Sequence, residues 1–139
     1  MARFRHLPIW KTALELAVHL ELAVHLELAV HLEQAVQRFP RYHKYSLGQD
    51  LRAQSMTIAR LCHRAWHDKA GQGHWLQKLV WAVDDLKISL QLGMRIKAFG
   101  SFHQFEQLAL LTGELGKQSG GWHRQHLKGQ QAASPVEPS

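Results

Sequence analysis

Apolar residues along the chain recur at helical spacing, and no stretch shows the sustained alternation of a β-strand. Proline, glycine and serine positions divide the pattern into four helical segments. These segments lie at about residues 8–39, 46–68, 74–99 and 101–117. Short connections and one apolar face per helix predict an all-α protein, an antiparallel up-down four-helix bundle.

Local signals predict several of the helix ends. Ser46-Leu-Gly-Gln49 and Ser101-Phe-His-Gln104 both have the form of a capping box. Gly100 is predicted to be a left-handed C-cap after the third helix. Ser119-Gly-Gly121 is expected to interrupt the helical pattern after the fourth helix. We therefore expect a bundle over residues 1–122 and a disordered polar tail over residues 123–139.

The second and third predicted helices differ in how their apolar residues are distributed. On the second, one sector contains Leu47, Leu51, Ile58, Leu61, Cys62, Ala65 and Trp66. On the third, a core stripe contains Leu76, Leu79, Ala82, Val83, Leu86 and Leu90. A second stripe lies well around the third helix and contains Trp81, Ile88, Leu92, Ile96 and Phe99. A broad buried face explains this stripe, but we favour a subunit interface and hence a homo-oligomer.

The first helix contains a hexapeptide repeat. Leu-Glu-Leu-Ala-Val-His occurs at residues 14–19, 20–25 and 26–31 and degenerates at 32–37. Each copy is rotated by about −120° from the previous one, so its three histidines point in different directions and do not predict a metal site. The predicted first helix, at about 32 residues, is also longer than the second and third helices. We interpret residues 14–37 as a tandem expansion and expect the start of this helix to overhang the bundle or pack on a neighbouring subunit.

Composition limits the class of protein. The 139 residues suffice for one domain, and a single cysteine, Cys62, excludes an intrachain disulfide and favours a reducing, cytoplasmic location. No apolar run is long enough for a membrane span, and the N-terminus does not resemble a secretory signal. The formal net charge is +6. Residues 1–37 contribute three basic and four acidic groups and residues 38–139 fourteen and seven, so an anion-binding surface is expected mainly on the later helices.

No catalytic constellation or cofactor motif is present in the sequence, so we expect a non-enzymatic protein without a cofactor. Cys62 lies on an apolar face, which favours a structural thiol over a nucleophile. His63 and His67 have the spacing of a two-ligand metal site, with His74 nearby, but a third ligand is not fixed, and no metal is expected. Asp84 and Asp85 are about 100° apart on a helix and favour solvated surface charges.

A basic stripe on the second helix is the most informative polar feature. A solvated surface explains it, but arginine geometry and the local charge favour phosphate contact. The predicted nucleic-acid-binding residues are Arg52, Arg60, Arg64, Lys78, Lys87 and Arg95. No base-reading motif is apparent, so such binding would depend on shape and backbone charge.

Two segments resemble a known family. Phe39–Arg52, with the sequence FPRYHKYSLGQDLR, resembles the junction between helices one and two of the four-helix-bundle proteins grouped with ribosomal RNA intervening-sequence proteins. Leu115–Trp122, with the sequence LGKQSGGW, resembles a C-terminal signature of one branch, the accessory variability determinant proteins of diversity-generating retroelements. The similarity extends from about Leu7 to Trp122, and the repeat in the first helix departs from the family pattern.

The resemblance implies a pentameric barrel of four-helix bundles with a basic surface. It also implies association with a reverse transcriptase and its template RNA or cDNA, in support of mutagenic cDNA synthesis and without catalysis. The alternative is a structural oligomer whose partner is another protein, with the charge serving solubility or steering. A histidine-metal enzyme is a third possibility, for which the sequence offers little.

Overall fold

A computed structural model describes residues 9–133, with side chains described for residues 23–131. The described chain is helical and contains no strand. Four long helices and one short helix follow each other along it. They are α1 (Ile9–Gln37), α2 (Arg41–Lys44), α3 (Leu47–His67), α4 (Gln72–Arg95) and α5 (Phe102–Ala133).

Long helices that are neighbours in sequence are also neighbours in space. α1 packs on α3, α3 on α4 and α4 on α5, and α1 also packs on α5, so the arrangement is compatible with a helical bundle. Between α3 and α4, Arg64 approaches Trp75 near one end and Leu47 approaches Gly93 near the other. The predicted core residues of both helices are confirmed as buried or packed against the core.

The fourth long helix differs from its prediction. Instead of ending near residue 117, α5 continues through Ser119-Gly-Gly121 to Ala133. Leu108, Leu115 and Trp122 are buried at seven-residue intervals, so packing of Trp122 outweighs the weak helix propensity of the glycines. Residues 123–133 are therefore helical, whereas 134–139 of the expected tail lie outside the described residues.

The length of α5 also changes the argument about the repeat. α1 has 29 residues and α5 has 32, against 21 in α3 and 24 in α4, so a long first helix is not exceptional. Glu33 pairs with Arg52, and Val36 faces Gly48. A straight α1 in this register extends about 13 Å past the end of α3. The overhang of the whole bundle stays a prediction, and the interpretation as an expansion depends on the repeated copies alone.

The six-residue period has a visible effect on the part of α1 whose side chains are described. His25 is buried and Leu28 and Leu32 lie in the core, whereas Leu26 and Val30 are exposed. His31, one repeat after His25, is partly exposed and lies 3.7 Å from Glu27. A period of six cannot keep one residue type on one face of a helix with 3.6 residues per turn. His19 lies outside the described side chains.

Two of the predicted helix ends need correction. Ser46 does not cap α3, because its hydroxyl donates to the Tyr42 and His43 carbonyls of the preceding turn. Gly100 is not left-handed; the left-handed residue after α4 is Lys97, with a φ of 59°. The Lys97 amide donates to Met94 O and the Ala98 amide to Gly93 O, the hydrogen bonds of a Schellman motif. Glycine usually fills this position, and a side chain there costs about 1 kcal/mol.

The Ser101 box is confirmed in part. The Ser101 hydroxyl accepts a hydrogen bond from the Gln104 amide at 3.2 Å, as the capping box requires. The Gln104 side chain reaches back to the amide of Gly100 rather than to that of Ser101. The box therefore forms at the start of α5 with its second bond shifted by one residue.

Two helical glycines provide a matched test of the packing. A Cβ at buried Gly93 would lie 2.8 Å from Phe99 Cε2 and 3.1 Å from Leu47 Cδ2, whereas a Cβ at Gly113 meets nothing within 4 Å. We expect Gly93→Ala to lower the free energy of unfolding by about 1–3 kcal/mol through overpacking. Gly113→Ala should raise it by about 0.5–1 kcal/mol through helix propensity. Urea denaturation measures both, and a stabilising Gly93→Ala would contradict the packing described here.

Candidate nucleic-acid interface

Two cations approach one tryptophan where the end of α3 meets the start of α4. The Arg64 guanidinium lies 5.3 Å and the Lys78 ammonium 5.6 Å from the centroid of the half-buried Trp75 ring. Cation–π attraction favours these positions. The result is a basic groove in which arginine and lysine are placed by an aromatic side chain rather than by a carboxylate.

Asp68, at the C-cap of α3, orients the tryptophan. Its carboxylate accepts hydrogen bonds from Trp75 Nε1 at 2.9 Å and from the Gly71 amide at 3.0 Å. The hydrogen bond from Trp75 is the main cause that lowers the pKa of Asp68 below its ordinary value, with a further contribution from Gly71. Asp68 therefore stays ionised at neutral pH and is the acidic member of an otherwise basic groove.

Residues of α3 continue this surface as an open cleft. Its lining combines Arg60 and Arg64 with two histidines, Asp68 and Trp75. The ring centroids of His63 and His67 are 4.2 Å apart. Within the part of the chain that is described, no group of three or more His, Cys, Asp or Glu residues is placed to hold a metal ion. The chemistry that this cleft offers is attraction and hydrogen bonding of an anion.

The six predicted contact residues do not share one surface. Arg60, Arg64 and Lys78 belong to the region of α3 and α4 around Trp75. Arg52 instead makes a two-pronged ion pair with Glu33 of α1, at 2.7 and 2.9 Å. Lys87 lies 3.9 Å from Asp84 and against Gly116 of α5. Arg95 is exposed in the last turn of α4.

The residues of the predicted interface stripe also differ from one another in how exposed they are. Ile88 is 68% exposed, Trp81 58% and Leu92 50%, while Ile96 is 37% exposed just after the helix. A broad face buried within one chain therefore does not account for the first three residues. Phe99 is partly buried, and its ring packs edge-on against Phe39 at 5.1 Å and lies 5.7 Å from Phe105. It thus packs against the core of its own chain, and its place in a subunit interface stays a prediction.

Sequence reasoning missed the residues that organise the groove. Trp75 was not selected, although its three-residue spacing from Lys78 places both on neighbouring positions of one helix face. Asp68 was also missed, although an aspartate just before a glycine-containing turn is a common local acceptor. The pairing of Arg52 with Glu33 depends on packing between helices and has no local signal.

Comparisons with protein-family models and with curated proteins find no match for this chain. Family identity thus stays a prediction from Phe39–Arg52 and Leu115–Trp122. Among the described residues, no helix is long and apolar enough to cross a membrane.

The lowered pKa of Asp68 predicts a component of acid sensitivity. Its hydrogen bonds contribute stability above the ordinary pKa of 3.8, and this contribution is lost as the pH falls through the lower pKa of the folded state. We expect Asp68→Asn to lose less stability than the wild type between about pH 5 and pH 2. Urea midpoints across that range measure the effect, with Asp85→Asn as a control for removing an exposed carboxylate. An equal acid-induced loss in Asp68→Asn and the wild type would contradict the prediction.

Proposed function

We propose that this protein is a non-catalytic nucleic-acid-binding protein that contacts phosphates through the groove around Trp75. The observation that carries the proposal is the placement of Arg64 and Lys78 on this tryptophan, with Arg60 in the adjoining cleft. The ion pairs between described side chains include Arg52 and Lys87 but none of these three cations. Their charge is thus available to an external anion, and arginine suits the geometry of phosphate.

The resemblance of Phe39–Arg52 and Leu115–Trp122 supports a more specific role. In that role the protein is an accessory factor of a diversity-generating retroelement, binds template RNA or cDNA, and associates with the reverse transcriptase in the cytoplasm. We further propose that the helices form an antiparallel up-down bundle and that the bundles assemble into a pentameric ring. The order of contacts along α1, α3, α4 and α5 supports the first of these assignments.

A salt titration tests the groove. Each phosphate contact contributes about 0.7 to 0.9 to the slope of log affinity against log salt concentration. We expect Arg60→Gln/Arg64→Gln to reduce the slope for structured RNA or an RNA–DNA hybrid by about 1.4 to 1.8, because two contacts are removed. Fluorescence anisotropy across a salt series measures the slope.

Arg52→Gln/Lys87→Gln is the matched control for that titration. It removes the same formal charge, but each of its two cations already has a carboxylate within 4.0 Å. We expect a smaller change in slope than in the Arg60/Arg64 variant. Equal slopes for the two variants would mean general attraction by a basic surface and would overturn the assignment to the groove.

The alternative function is that of a structural oligomer with a protein partner. The exposed apolar residues Trp81, Ile88 and Leu92 on the outer side of α4 favour self-association, which is compatible with either function. Stable association with a protein, without retention of nucleic acid, would favour the alternative.

Charge substitution on α4 tests the subunit interface. We expect the wild type to have a native mass of several times the 15.9 kDa chain, and Ile88→Lys to reduce it, because burying an unpaired lysine is unfavourable. Light scattering after size-exclusion chromatography measures the mass. Leu110→Lys on α5 is the control, because Leu110 and Ile88 are both 68% exposed. A monomeric wild type, or equal masses for the two variants, would contradict this interface.

A further inference from the structure

The two connections near Phe39 and Phe99 contain cations but no carboxylates. Residues 38–46 and 94–103 contain no Asp or Glu. The Phe39–Phe99 contact brings these segments together. Their cations are Arg38, Arg41, Lys44, Arg95 and Lys97. We call this region the basic end; the nearest carboxylates in sequence are Asp50, in the first turn of α3, and Glu106, in the second turn of α5.

Aromatic rings are interspersed with these cations and are unusually exposed. Tyr42 is 84% exposed, and Tyr45 and Phe102 are each 66% exposed. Tyr42 contacts the neighbouring His43 ring at 5.2 Å and 84°, an edge contact. Free aromatic faces surrounded by cations are typical of surfaces that stack bases and contact the phosphates between them.

The backbone at Lys97 is a second, independent observation. Lys97 holds the left-handed position of the Schellman motif after α4 and is exposed. Glycine would fill that position without strain, although a cation near the end of a helix is partly favoured by the helix dipole. A strained residue that carries an exposed charge in a carboxylate-free region points to a use for that charge.

We propose that the basic end binds single-stranded nucleic acid, with Tyr42 and Tyr45 stacking on bases and Arg41 and Lys97 contacting phosphates. This proposal rests on nucleic acid being the ligand class of the proposed function, but it uses a different surface. Arg64 and Leu47 lie near opposite ends of α3, about 25 Å apart along the helix. The basic end and the groove around Trp75 are thus separate sites that one strand of sufficient length can contact together.

The order of aromatic and basic residues along the chain favours this ligand over an anionic membrane. Membrane-surface binding depends on a continuous apolar face that enters the headgroup region. Here Arg41, His43 and Lys44 alternate with the two tyrosines along the chain, so the rings are separated by polar groups. Stacking requires only single ring faces, which this arrangement leaves accessible.

Two double variants separate the two contributions, with binding of a fluorescent oligothymidylate of about 12 nucleotides as the measurement. Arg41→Gln/Lys97→Gly should lower the salt slope by about 1.4, because each phosphate contact of a single strand contributes about 0.7. Tyr42→Ala/Tyr45→Ala should weaken binding at least fivefold with little change in slope, because stacking carries no net charge. Lys117→Gln/Arg124→Gln, which removes two exposed cations of α5, should leave binding close to that of the wild type.

Stability measurements distinguish lost contacts from misfolding. Glycine relieves the left-handed strain at residue 97, so a Lys97→Gly single variant should keep or raise the urea midpoint of the wild type while binding the strand less tightly. Inorganic polyphosphate is the second ligand, because it has phosphates but no bases. The tyrosine variant should bind polyphosphate as the wild type does, and a parallel loss of both ligands would overturn the stacking assignment.

The outcomes also separate this proposal from the proposed function. If only Arg60→Gln/Arg64→Gln loses binding of the oligothymidylate, the groove around Trp75 is the binding site and the proposal for the basic end is wrong. If only the variants at residues 41, 42, 45 and 97 lose this binding, the basic end is the binding site and the assignment to the groove is wrong. If the wild type binds vesicles of phosphatidylserine and phosphatidylcholine but not the oligonucleotide, and the tyrosine variant loses the vesicles, the surface recognises a membrane and the nucleic-acid proposal is wrong.

Discussion

The packing of Phe99 between Phe39 and Phe105 fixes one end of the bundle. These rings belong to the chain after α1, the turn after α4 and the start of α5, so their contacts join three separate segments. The contact is possible because Gly93 has no side chain where the Phe99 ring lies, at 2.8 Å from an ideal Cβ. With Phe39 and Phe105 buried and Phe99 packed against them, Arg38, Arg41, Arg95 and Lys97 of the same two connections stay exposed. The basic end is therefore a consequence of how the core closes.

The fold was predictable from the sequence wherever a local pattern and the tertiary packing agree. Leu51 and Ile58 on α3 and Leu79 and Leu86 on α4 follow seven-residue spacing and are buried. The continuation of α5 was not predictable, because two adjacent glycines disfavour a helix and only the burial of Trp122 compensates for them. The left-handed conformation of Lys97 was missed for a related reason. Gly100 carried the stronger local signal, but the position of Phe99 in the core requires the chain to turn earlier.

The candidate site was predictable only as a set of charges. Helical spacing placed Arg60 and Arg64 on an exposed face, and both are exposed. It could not reveal that Arg52 meets Glu33, since these residues are 19 positions apart on different helices. It also placed Phe99 with Trp81 on an interface stripe, because a helical projection continued past Arg95 assigns a direction to residues beyond the helix end. Spacing arguments hold within a helix and fail where the chain turns or another helix supplies a partner.

The distribution of carboxylates determines which cations are available to a ligand. Glu33 is occupied by Arg52 near the end of α1, and Asp84 lies beside Lys87 within α4, so these two cations are partly neutralised. Asp68 accepts hydrogen bonds from the Trp75 indole and the Gly71 amide, and it forms no salt bridge with Arg64 or Lys78. Arg64 and Lys78 around Trp75, and Arg41 and Lys97 at the basic end, have no such ion pair among the described side chains. Charges arranged in this way favour an extended polyanion that follows the molecule over a compact anion that needs one enclosed pocket.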